Sequence, residues 1–263
     1  MRVGIVGVGM VGGALRHGFT RIGHDVSVYD IKLPDTKLSD VLQTDILFIC
    51  VPTPGNPNGS CDTSIVEEVV EDVAAASYRG VVAIKSTIEP GTTDRLAQQH
   101  PPLRLSFCPE FLRERAMYVD FVENNDVCIV GTYKQEDADV LRDVHGELPK
   151  QFAYVSPREA ELSKYFFNAF NALRIVYANQ FYDLCKATGA DYNKIKNAIV
   201  KHRAIQDVYL DCNENFRGFG GACLPKDTAA FARYASEVLG NNWGLSLFEG
   251  IVEINKRYKP TVL

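Results

Sequence analysis

A glycine-rich segment around one cysteine has the clearest potential for chemistry, since residues 218–227 read GFGGACLPKD. Pro225 fits the first position of a helix, so Cys223 lies just ahead of a helix N-terminus, where the helix dipole favours thiolate over thiol. Glycines such as Gly220 leave room for a ligand against the backbone. Asp227, in the first helical turn, could cap the helix or orient a water near the sulfur. These local features fit a reactive cysteine and a buried structural cysteine equally well.

A second glycine pattern, GxGxxG, follows the first apolar run of the chain. Gly7 allows a tight turn, Gly9 lets the backbone approach a pyrophosphate, and Gly12 lets helix and strand pack closely. The unpaired N–H groups at a helix N-terminus would then bind the phosphates. The alternative is a glycine-rich turn that binds no nucleotide.

An acidic residue supports nucleotide binding by this turn. Asp30 ends the second apolar run, where a carboxylate would accept a hydrogen bond from the ribose 2′-hydroxyl and repel a 2′-phosphate. NAD is therefore favoured over NADP, although Lys32 weakens the preference slightly. The predicted cofactor residues of this region are Gly7, Val8, Gly9, Met10, Val11, Gly12, Asp30 and Lys32.

The elements that must position these residues alternate along the N-terminal part of the chain. Helical patterns separate short apolar runs, which indicates a parallel sheet with helices on its faces. We predict a helix at 64–77 and strands at 2–6, 26–29, 45–51, 81–84, 104–108 and 127–130. Residues 1–156 are thus expected to form an α/β domain, a Rossmann-type doubly wound parallel sheet that binds NAD.

The pattern changes after Pro157. Residues 158–187 contain no proline or glycine and predict one long helix, whose aromatic residues cover more than one face. Such a helix is usually buried on several sides, and a second subunit could cover one of them, so we expect a homodimer through helix 158–187. Residues 157–263 are expected to form an all-α central dimerisation domain that carries the cysteine motif. Further helices are predicted at 191–202, 225–239 and 244–257.

Composition excludes several classes of protein. The 263 residues carry a formal net charge of −5 without a block of like charge, so neither nucleic acid nor an anionic membrane is an expected partner. No apolar run approaches the ~18 residues of a membrane-spanning helix. The seven cysteines include no C-x-x-C pair and the five histidines are scattered. This predicts neither a disulfide framework nor a metal site and favours a reducing, cytoplasmic compartment.

Five motifs in matching order resemble the UDP-glucose/GDP-mannose dehydrogenase family, whose active-site pattern reads GFGGxCxPKD. Besides residues 218–227, the similar segments are FICVPTP at 48–54, KSTIEPGTT at 85–93, CPEFLRE at 108–114 and AELSKYFFNAF at 160–170. The family oxidises the primary alcohol of a sugar nucleotide to a carboxylate in two hydride transfers that consume two NAD. The resemblance implies the same reaction here, with UDP-glucose as the leading substrate and UDP-glucuronate as the product.

The resemblance also implies roles for the matching residues. Cys223 would add to the intermediate aldehyde and form a thiohemiacetal, which loses a second hydride to give a thioester. Lys164 and Asn168, one helical turn apart, would stabilise an oxyanion at the sugar carbon. Taken alone, the same lysine and asparagine would be interpreted as a solvated pair on a helix surface.

Further roles implied by the resemblance concern water and ligand binding. Asp227 and Glu110 would handle water and protons during thioester hydrolysis, with Thr87 positioning a water. Glu114 would face the nicotinamide side. Cofactor-side contacts are implied for Pro52, Thr53 and Thr87, and substrate contacts for Glu110, Phe111, Leu112, Lys164, Asn168, Gly220 and Cys223.

Some residues have more than one interpretation. Taken singly, Glu110 and Glu114 flanking Arg113 would be interpreted as a surface ion pair. Arg203 and Arg217 are both candidates to contact phosphate or sugar, and the sequence does not choose between them.

The chain departs from the family in two respects. The stretch before the glycines, DVYLDCNENFRGFGG, lacks the family's usual proline-containing approach. Full-length members carry a further C-terminal nucleotide-binding domain, for which this sequence has no counterpart, so we expect a fragment, a compact natural form, or a chain whose substrate is held mainly by a dimer partner. GDP-mannose and UDP-N-acetyl-hexosamines are alternative substrates. Two other classes stay open: a β-hydroxyacid dehydrogenase, which makes one hydride transfer and needs no cysteine, and a truncated, non-catalytic relative that binds NAD.

Overall fold

A seven-stranded sheet forms the centre of the first of two compact units, which comprises Met1–Pro54 and Cys61–Lys164. The computed structural model describes residues 1–240 and 246–258. Within them the strands of this sheet follow the order β2-β1-β3-β4-β5-β6-β7. Their bounds are β1 Arg2–Val6, β2 Asp25–Tyr29, β3 Ile46–Ile49, β4 Val81–Ile84, β5 Arg104–Phe107, β6 Cys128–Gly131 and β7 Phe152–Val155.

Helices cover both faces of this sheet. Apolar side chains of α1, α5 and α6 pack on one face, where Phe19, Phe48 and Phe121 are fully buried. Those of α3 and α4 pack on the other face, which includes Val70 and Leu96. The predicted doubly wound α/β fold is therefore confirmed. The helix bounds are α1 Met10–Arg21, α2 Leu38–Val41, α3 Ser64–Ala75, α4 Thr92–Gln99, α5 Met117–Val122 and α6 Gln135–His145, with a 3-10 turn at Glu114–Ala116.

The prediction of a purely parallel sheet is wrong at one strand pair. Strands β1 to β5 pair in parallel, whereas β6 pairs antiparallel with β5 through Phe107 and Gly131. A parallel pair needs a crossover connection, but an antiparallel pair does not. The link from β5 to β6 contains the short helix α5 and returns the chain to the edge of the sheet that it left. Strands β6 and β7 are parallel to each other and run opposite to β1 to β5, so the sheet is mixed.

Strand β7 does not appear among the predicted strands. It lies at the edge of the sheet beside β6, and none of its four residues is fully buried. A short run that is partly open to solvent is difficult to distinguish from loop sequence by its apolar pattern.

The second unit, Gly55–Ser60 and Tyr165–Leu263, is built from helices in its described part. Buried side chains of Ile175, Phe219 and Ile251 form one of its apolar clusters. The predicted helix at 191–202 ends at residue 199, and the first two residues of the predicted helix 244–257 lie outside the described residues. The helix bounds are α7 Pro157–Thr188, which begins in the first unit, α8 Tyr192–Ile199, α9 Leu224–Leu239 and α10 Leu247–Asn255.

Helix α7 is the predicted long helix, and its 32 residues continue from the first unit into the second. The division between the compact units falls after Lys164. The assignment of residues 1–156 to cofactor binding and of 157–263 to dimerisation stays a prediction. None of the helices in the described ranges is long and apolar enough to cross a membrane.

Gly12 and Gly13 form a matched pair for testing the close packing of α1. A Cβ atom at Gly12 would lie 1.9 Å from the carbonyl oxygen of Gly7, whereas the nearest neighbour of a Cβ atom at Gly13 would be the hydroxyl of Tyr118, at 3.4 Å. We expect Gly12→Ala to lower the free energy of unfolding by about 2 kcal/mol, because the backbone must shift. Gly13→Ala should leave it unchanged or raise it by up to about 1 kcal/mol. Urea unfolding followed by circular dichroism measures both, and equal losses would contradict the packing argument.

Candidate active site

The GxGxxG turn has the geometry that its glycines predict. Gly7 has a φ of +88°, a conformation that favours glycine, and its N–H donates to the carbonyl oxygen of Tyr29 at 2.8 Å. A Cβ atom at Gly9 would have no neighbour within 4 Å, so the backbone is open to a ligand there. At Gly12, by contrast, even a methyl group would collide with the turn.

Helix α1 begins beside the open side of Gly9. This glycine is the N-cap, and Met10 and Val11 belong to the first helical turn, whose N–H groups have no partners within the helix. The positive end of the helix dipole lies at the same place. These residues therefore fit a pyrophosphate that is bound by backbone N–H groups.

The carboxylate of Asp30 ties the end of β2 to the glycine turn. Its Oδ2 atom accepts from the N–H of Val8 at 2.7 Å, and Oδ1 accepts from the N–H of Lys32 at 2.9 Å. The Val8 N–H first, and then the Lys32 N–H, lower the pKa of Asp30 below its ordinary value. Asp30 is therefore ionised at neutral pH, as the predicted contact with a ribose hydroxyl requires, whereas Lys32 is exposed.

Other predicted cofactor residues follow the carboxyl ends of neighbouring strands. Pro52 and Thr53 come after β3 and Thr87 comes after β4, with Thr53 buried, Thr87 half-buried and Pro52 exposed. The carbonyl oxygen of Thr87 accepts from the thiol of Cys61 at 3.3 Å. Since parallel strands end at one edge of a sheet, these residues lie at the edge that carries the glycine turn.

The segment after β5 is held by two lysines. Lys85 donates to the Oε1 atom of Glu110, and Lys164 donates to the main-chain carbonyl oxygen of Glu110 at 2.6 Å. The ammonium of Lys164 also lies 5.5 Å from the centroid of the Phe111 ring. Glu110 is buried, and Phe111 and Leu112 are half-buried. Both the carboxylate and the main chain of Glu110 are thus fixed by cations.

Glu114 has a different environment, since it is exposed and begins the 3-10 turn. Arg113 forms an ion pair with the buried Asp120 of α5 at 2.6 Å. Arg113 therefore has an acidic partner in α5, and the carboxylate of Glu110 is paired with Lys85.

In the second unit, Asn168 and Asp227 are joined by a hydrogen bond. The side-chain amide of Asn168 donates to Oδ2 of Asp227 at 2.6 Å, and Nζ of Lys226 lies 2.7 Å from Oδ1. Asn168 and Asp227 are both buried. A buried carboxylate is costly unless it is paired, and this one has both an amide donor and a cation. The structure thus brings together two of the predicted catalytic residues of this unit.

Cys223 is the N-cap of α9, and it alone is exposed among the seven cysteines, all of which lie in the described ranges. Its carbonyl oxygen accepts from the N–H of Asp227 at 2.8 Å, as at the start of a helix. Gly218 and Gly221 have φ values of +61° and +83°, and Gly220 between them is half-buried. Cys223 is thus an exposed residue at the positive end of a helix dipole, a position that favours thiolate over thiol.

Two family models match the chain. Residues 34–149 match the NAD binding domain of the UDP-glucose/GDP-mannose dehydrogenase family, and residues 158–257 match its central domain. The chain belongs to this family. The family expected from the five sequence motifs is thereby confirmed, and the type of the first domain confirms NAD as the cofactor.

The curated relatives that match this chain are longer than it is. A UDP-glucose 6-dehydrogenase from Pseudomonas aeruginosa is 32% identical over 208 residues, which cover 73% of this chain and 45% of the relative. A GDP-mannose 6-dehydrogenase from the same organism is 28% identical over 207 residues, which cover 73% of this chain and 47% of the relative. The chain thus spans about half the length of the curated relatives it matches.

Solved structures with the same fold include a UDP-glucose dehydrogenase from Pyrobaculum islandicum. It is 29% identical with a TM-score of 0.83, and the match covers 97% of this chain and 67% of that one. A 3-hydroxyisobutyrate dehydrogenase from Mycobacterium tuberculosis matches with a TM-score of 0.76 at 14% identity, over 97% of this chain and 92% of that one. The second match shows a shared fold alone.

Sequence reasoning missed two buried asparagines that hold the cysteine segment of this family member. Oδ1 of Asn179 accepts from Nε of Arg217 at 2.7 Å and from the N–H of Gly218 at 3.1 Å. Asn255 accepts from the N–H of Phe219 at 2.8 Å and donates to its carbonyl oxygen at 3.0 Å. Asparagine forms helices poorly, so its presence on the apolar face of a predicted helix is the signal that could have identified both residues.

The two arginines proposed for phosphate or sugar contact differ in their surroundings. Arg217 pairs with Asp183 at 2.5 Å, and its guanidinium lies over the rings of Tyr182 and Tyr258. Arg203 is exposed. Arg217 is therefore engaged within the second unit, whereas Arg203 is open to solvent, and the contact of either arginine with phosphate or sugar stays a prediction.

The lowered pKa of Asp30 leads to a pH-dependent prediction. In the folded protein the pKa of Asp30 lies below its ordinary value of about 3.9, so its charged form stabilises the fold above that value, and this contribution is lost as the pH falls through the folded pKa. We expect Asp30→Asn to be less stable than the parent at pH 7 and the difference to shrink as the pH falls below about 4. Urea unfolding across this pH range measures it. Asp35→Asn, at an exposed position of the same loop, is the control, and a gap independent of pH would contradict the prediction.

Proposed function

We propose that the protein oxidises the 6-hydroxymethyl group of UDP-glucose to the carboxylate of UDP-glucuronate, with two NAD as oxidants. The observation that carries the proposal is the exposure of Cys223 at the N-cap of α9. Oxidation to an acid needs a group that retains the aldehyde for a second oxidation, whereas a simple alcohol dehydrogenase needs none. The names of the bacterial relatives support UDP-glucose as the substrate and leave GDP-mannose as an alternative. UDP-N-acetyl-hexosamines are further alternative substrates.

The first unit provides the cofactor site in this proposal. The first turn of α1 would hold the pyrophosphate beside Gly9, and Asp30 would accept the ribose hydroxyl. NAD, when bound, supplies the hydride acceptor. The remaining contacts would come from Val8, Met10, Val11, Lys32, Pro52, Thr53, Thr87 and Glu114.

Cys223 would act once the alcohol has been oxidised to the aldehyde. Its thiolate adds to the aldehyde carbon, and the new C–S bond gives a thiohemiacetal. Transfer of a hydride from that carbon to the second NAD, with loss of the hydroxyl proton, would leave a thioester. Water would then cleave the C–S bond to release the carboxylate and the thiol. One alcohol, one water and two NAD thus give one carboxylate, two NADH and protons.

Helix α7 would provide the groups for the oxyanion. Lys164 and Asn168 lie one turn apart, so their side chains project from the same side of the helix, and a cation and an amide donor suit a developing negative charge. Their hydrogen bonds to Glu110 and Asp227 orient both side chains before substrate binds. Glu110 and Asp227 would move protons to and from the attacking water, positioned by Thr87. Backbone groups of Phe111, Leu112 and Gly220 would hold the substrate.

The stoichiometry of NADH formation tests the proposed reaction. We expect two NADH per UDP-glucose consumed at limiting substrate, measured by absorbance and compared with GDP-mannose and UDP-N-acetyl sugars. One NADH per substrate would indicate the single hydride transfer of a β-hydroxyacid dehydrogenase. No NADH with any of these substrates, in a protein that binds NAD, would indicate a non-catalytic relative.

A serine variant isolates the role of the cysteine in that reaction. Cys223→Ser should abolish acid formation and retain NAD binding, because a serine hydroxyl at neutral pH does not replace a thiolate nucleophile. Cys185→Ala, which changes a buried cysteine of α7, is the control that should retain two NADH per substrate. Unchanged acid production by Cys223→Ser would remove the thioester mechanism.

A homodimer through α7 is the second part of the proposal. Phe166, Phe170, Tyr177 and Leu184 are exposed at helical spacing on α7, with 73% of Phe166 and 59% of Tyr177 accessible. Large apolar side chains aligned on one helix face are typical of an interface. A second copy of this chain is the partner that the proposal assigns to this face.

A cytoplasmic location of the protein stays a prediction.

The introduction of negative charges on this face of α7 tests the dimer. Phe166→Glu combined with Tyr177→Glu should convert a dimer to a monomer, since buried carboxylates would lack partners in the interface. Sedimentation equilibrium measures the mass. Val238→Glu, on an exposed position of α9, is the control that should remain dimeric, and a monomeric parent protein would contradict the proposal.

A further inference from the structure

A buried cation lies at the carboxyl edge of the sheet, directly after β4. The side chain of Lys85 has no exposed surface, which is unusual because lysine is almost never fully buried unless it is paired. The groups around its ammonium come from segments far apart in the chain. None of the roles proposed for the reaction uses this lysine.

Three acceptors surround the ammonium of Lys85. They are Oε1 of Glu110, Sγ of Cys108 at 3.3 Å and Nε2 of His145 at 3.5 Å. An ammonium group has three N–H donors, so each donor has an acceptor. The ring of Phe48 lies on a further side, with its centroid 5.6 Å from Nζ.

The orientation of His145 supports this arrangement. Its Nδ1 atom lies 2.7 Å from the carbonyl oxygen of Leu141, and the residue is fully buried. A ring nitrogen that faces a carbonyl oxygen must carry the proton, so in neutral His145 the other nitrogen, Nε2, is the acceptor. That acceptor is the atom that faces Lys85.

Cys108 is supported in turn by a second cysteine. The Sγ atoms of Cys108 and Cys128 lie 3.6 Å apart. The hydrogen bond from Cys128 lowers the pKa of Cys108, and the ammonium of Lys85 acts in the same direction against the opposing effect of burial. The sulfur of Cys108 is therefore suited to accept a hydrogen bond from a cation.

A metal ion is the obvious alternative occupant of this cluster. The ligand atoms of Cys108, Cys128 and His145 lie within 4.8 Å of one another, a spacing that suits a metal. Lys85, however, already places a positive charge among them, and its side chain is enclosed by protein. The cluster thus contains its own cation, and a metal would have to displace it.

We infer that Lys85 is a positioning residue, which fixes the carboxylate of Glu110 and is itself fixed by Cys108 and His145. The inference rests on the proposed function, in which Glu110 moves a proton. Lys85 is buried and would act through Glu110, whose main chain is held separately by Lys164. The side chain and main chain of Glu110 are thus oriented by two different lysines.

A double-mutant cycle in kcat tests this role. A misplacement of about 1 Å can cost on the order of 100-fold in rate, so Lys85→Met should lower kcat by roughly tenfold or more while KM for UDP-glucose changes little. In a Glu110→Gln background, whose residual rate is measured by NADH fluorescence, Lys85→Met should have almost no further effect on kcat. Equal losses in both backgrounds, or a change in KM alone, would overturn the inference.

Variants of Cys108 and His145, two of the acceptors of Lys85, test the same role if Lys85→Met does not fold. Cys108→Ser and His145→Gln retain an acceptor for Lys85 and should retain most of kcat, whereas Cys108→Val and His145→Leu should lower it. Lys150→Met, which changes an exposed lysine paired with Asp126, is the control. Equal kcat in the conservative and the apolar variants would overturn the inference.

Thermal unfolding separates failure of this inference from failure of the proposed function. If the parent protein forms no NADH, the proposed function has failed, yet the Lys85–Glu110 pair can still be tested. Removing one member of a buried ion pair leaves the other charge uncompensated. The double variant Lys85→Met/Glu110→Gln should therefore melt at a higher temperature than Lys85→Met alone. A lower melting temperature for the double variant would contradict the pair.

Discussion

The candidate site of the first unit depends on one geometric constraint, the common edge at which its parallel strands end. Strands β1, β3, β4 and β5 are adjacent and parallel, so the segments that follow them leave the sheet side by side. The hydrogen-bonded register of the sheet therefore sets the spacing between side chains that are distant in sequence. The segments carry the glycine turn, Pro52 and Thr53, Lys85 and Thr87, and the run from Cys108 to Glu110.

Buried charge is the second requirement that shapes these residues. A carboxylate or ammonium that leaves water must find partners, and Lys85 meets this requirement with three acceptors from two segments, the run from Cys108 to Glu110 and helix α6. Glu161 in α7 shows the same principle: it accepts from the N–H of Gly91 at 2.5 Å and from the N–H of Thr93 at 2.8 Å, while burial raises its pKa. Such contacts have directions as well as energies. They fix the start of α7 against α4 and the Glu110 segment against the end of β4. Apolar packing has no direction and would not by itself fix these relative positions.

The parts that sequence predicts well are those determined by local pattern. Strands β3 and β4 are apolar runs buried on both faces, and the glycine turn is recognised because each glycine has a local steric reason. The prediction of a parallel β6 is wrong, because the direction of this strand depends on the path of the preceding connection. The same limit applies to side chains: Lys85 lies within a recognised motif, but its partners Cys108 and His145 come from other elements. Asn179 and Asn255 act on a segment that is distant from both in sequence.

The cysteine segment combines two demands that oppose each other. In the proposed function Cys223 must be exposed to meet its substrate, and the residue is exposed. The glycines before it make that segment costly to order. The structure meets both demands by anchoring the backbone upstream of the thiol, where Asn179 binds Gly218 and Asn255 binds both polar groups of Phe219. Downstream, helix α9 orders the chain from Leu224 onward. Because the backbone is anchored on both sides of Cys223, this residue is exposed while it stays at the N-terminus of α9, where the helix dipole favours its thiolate.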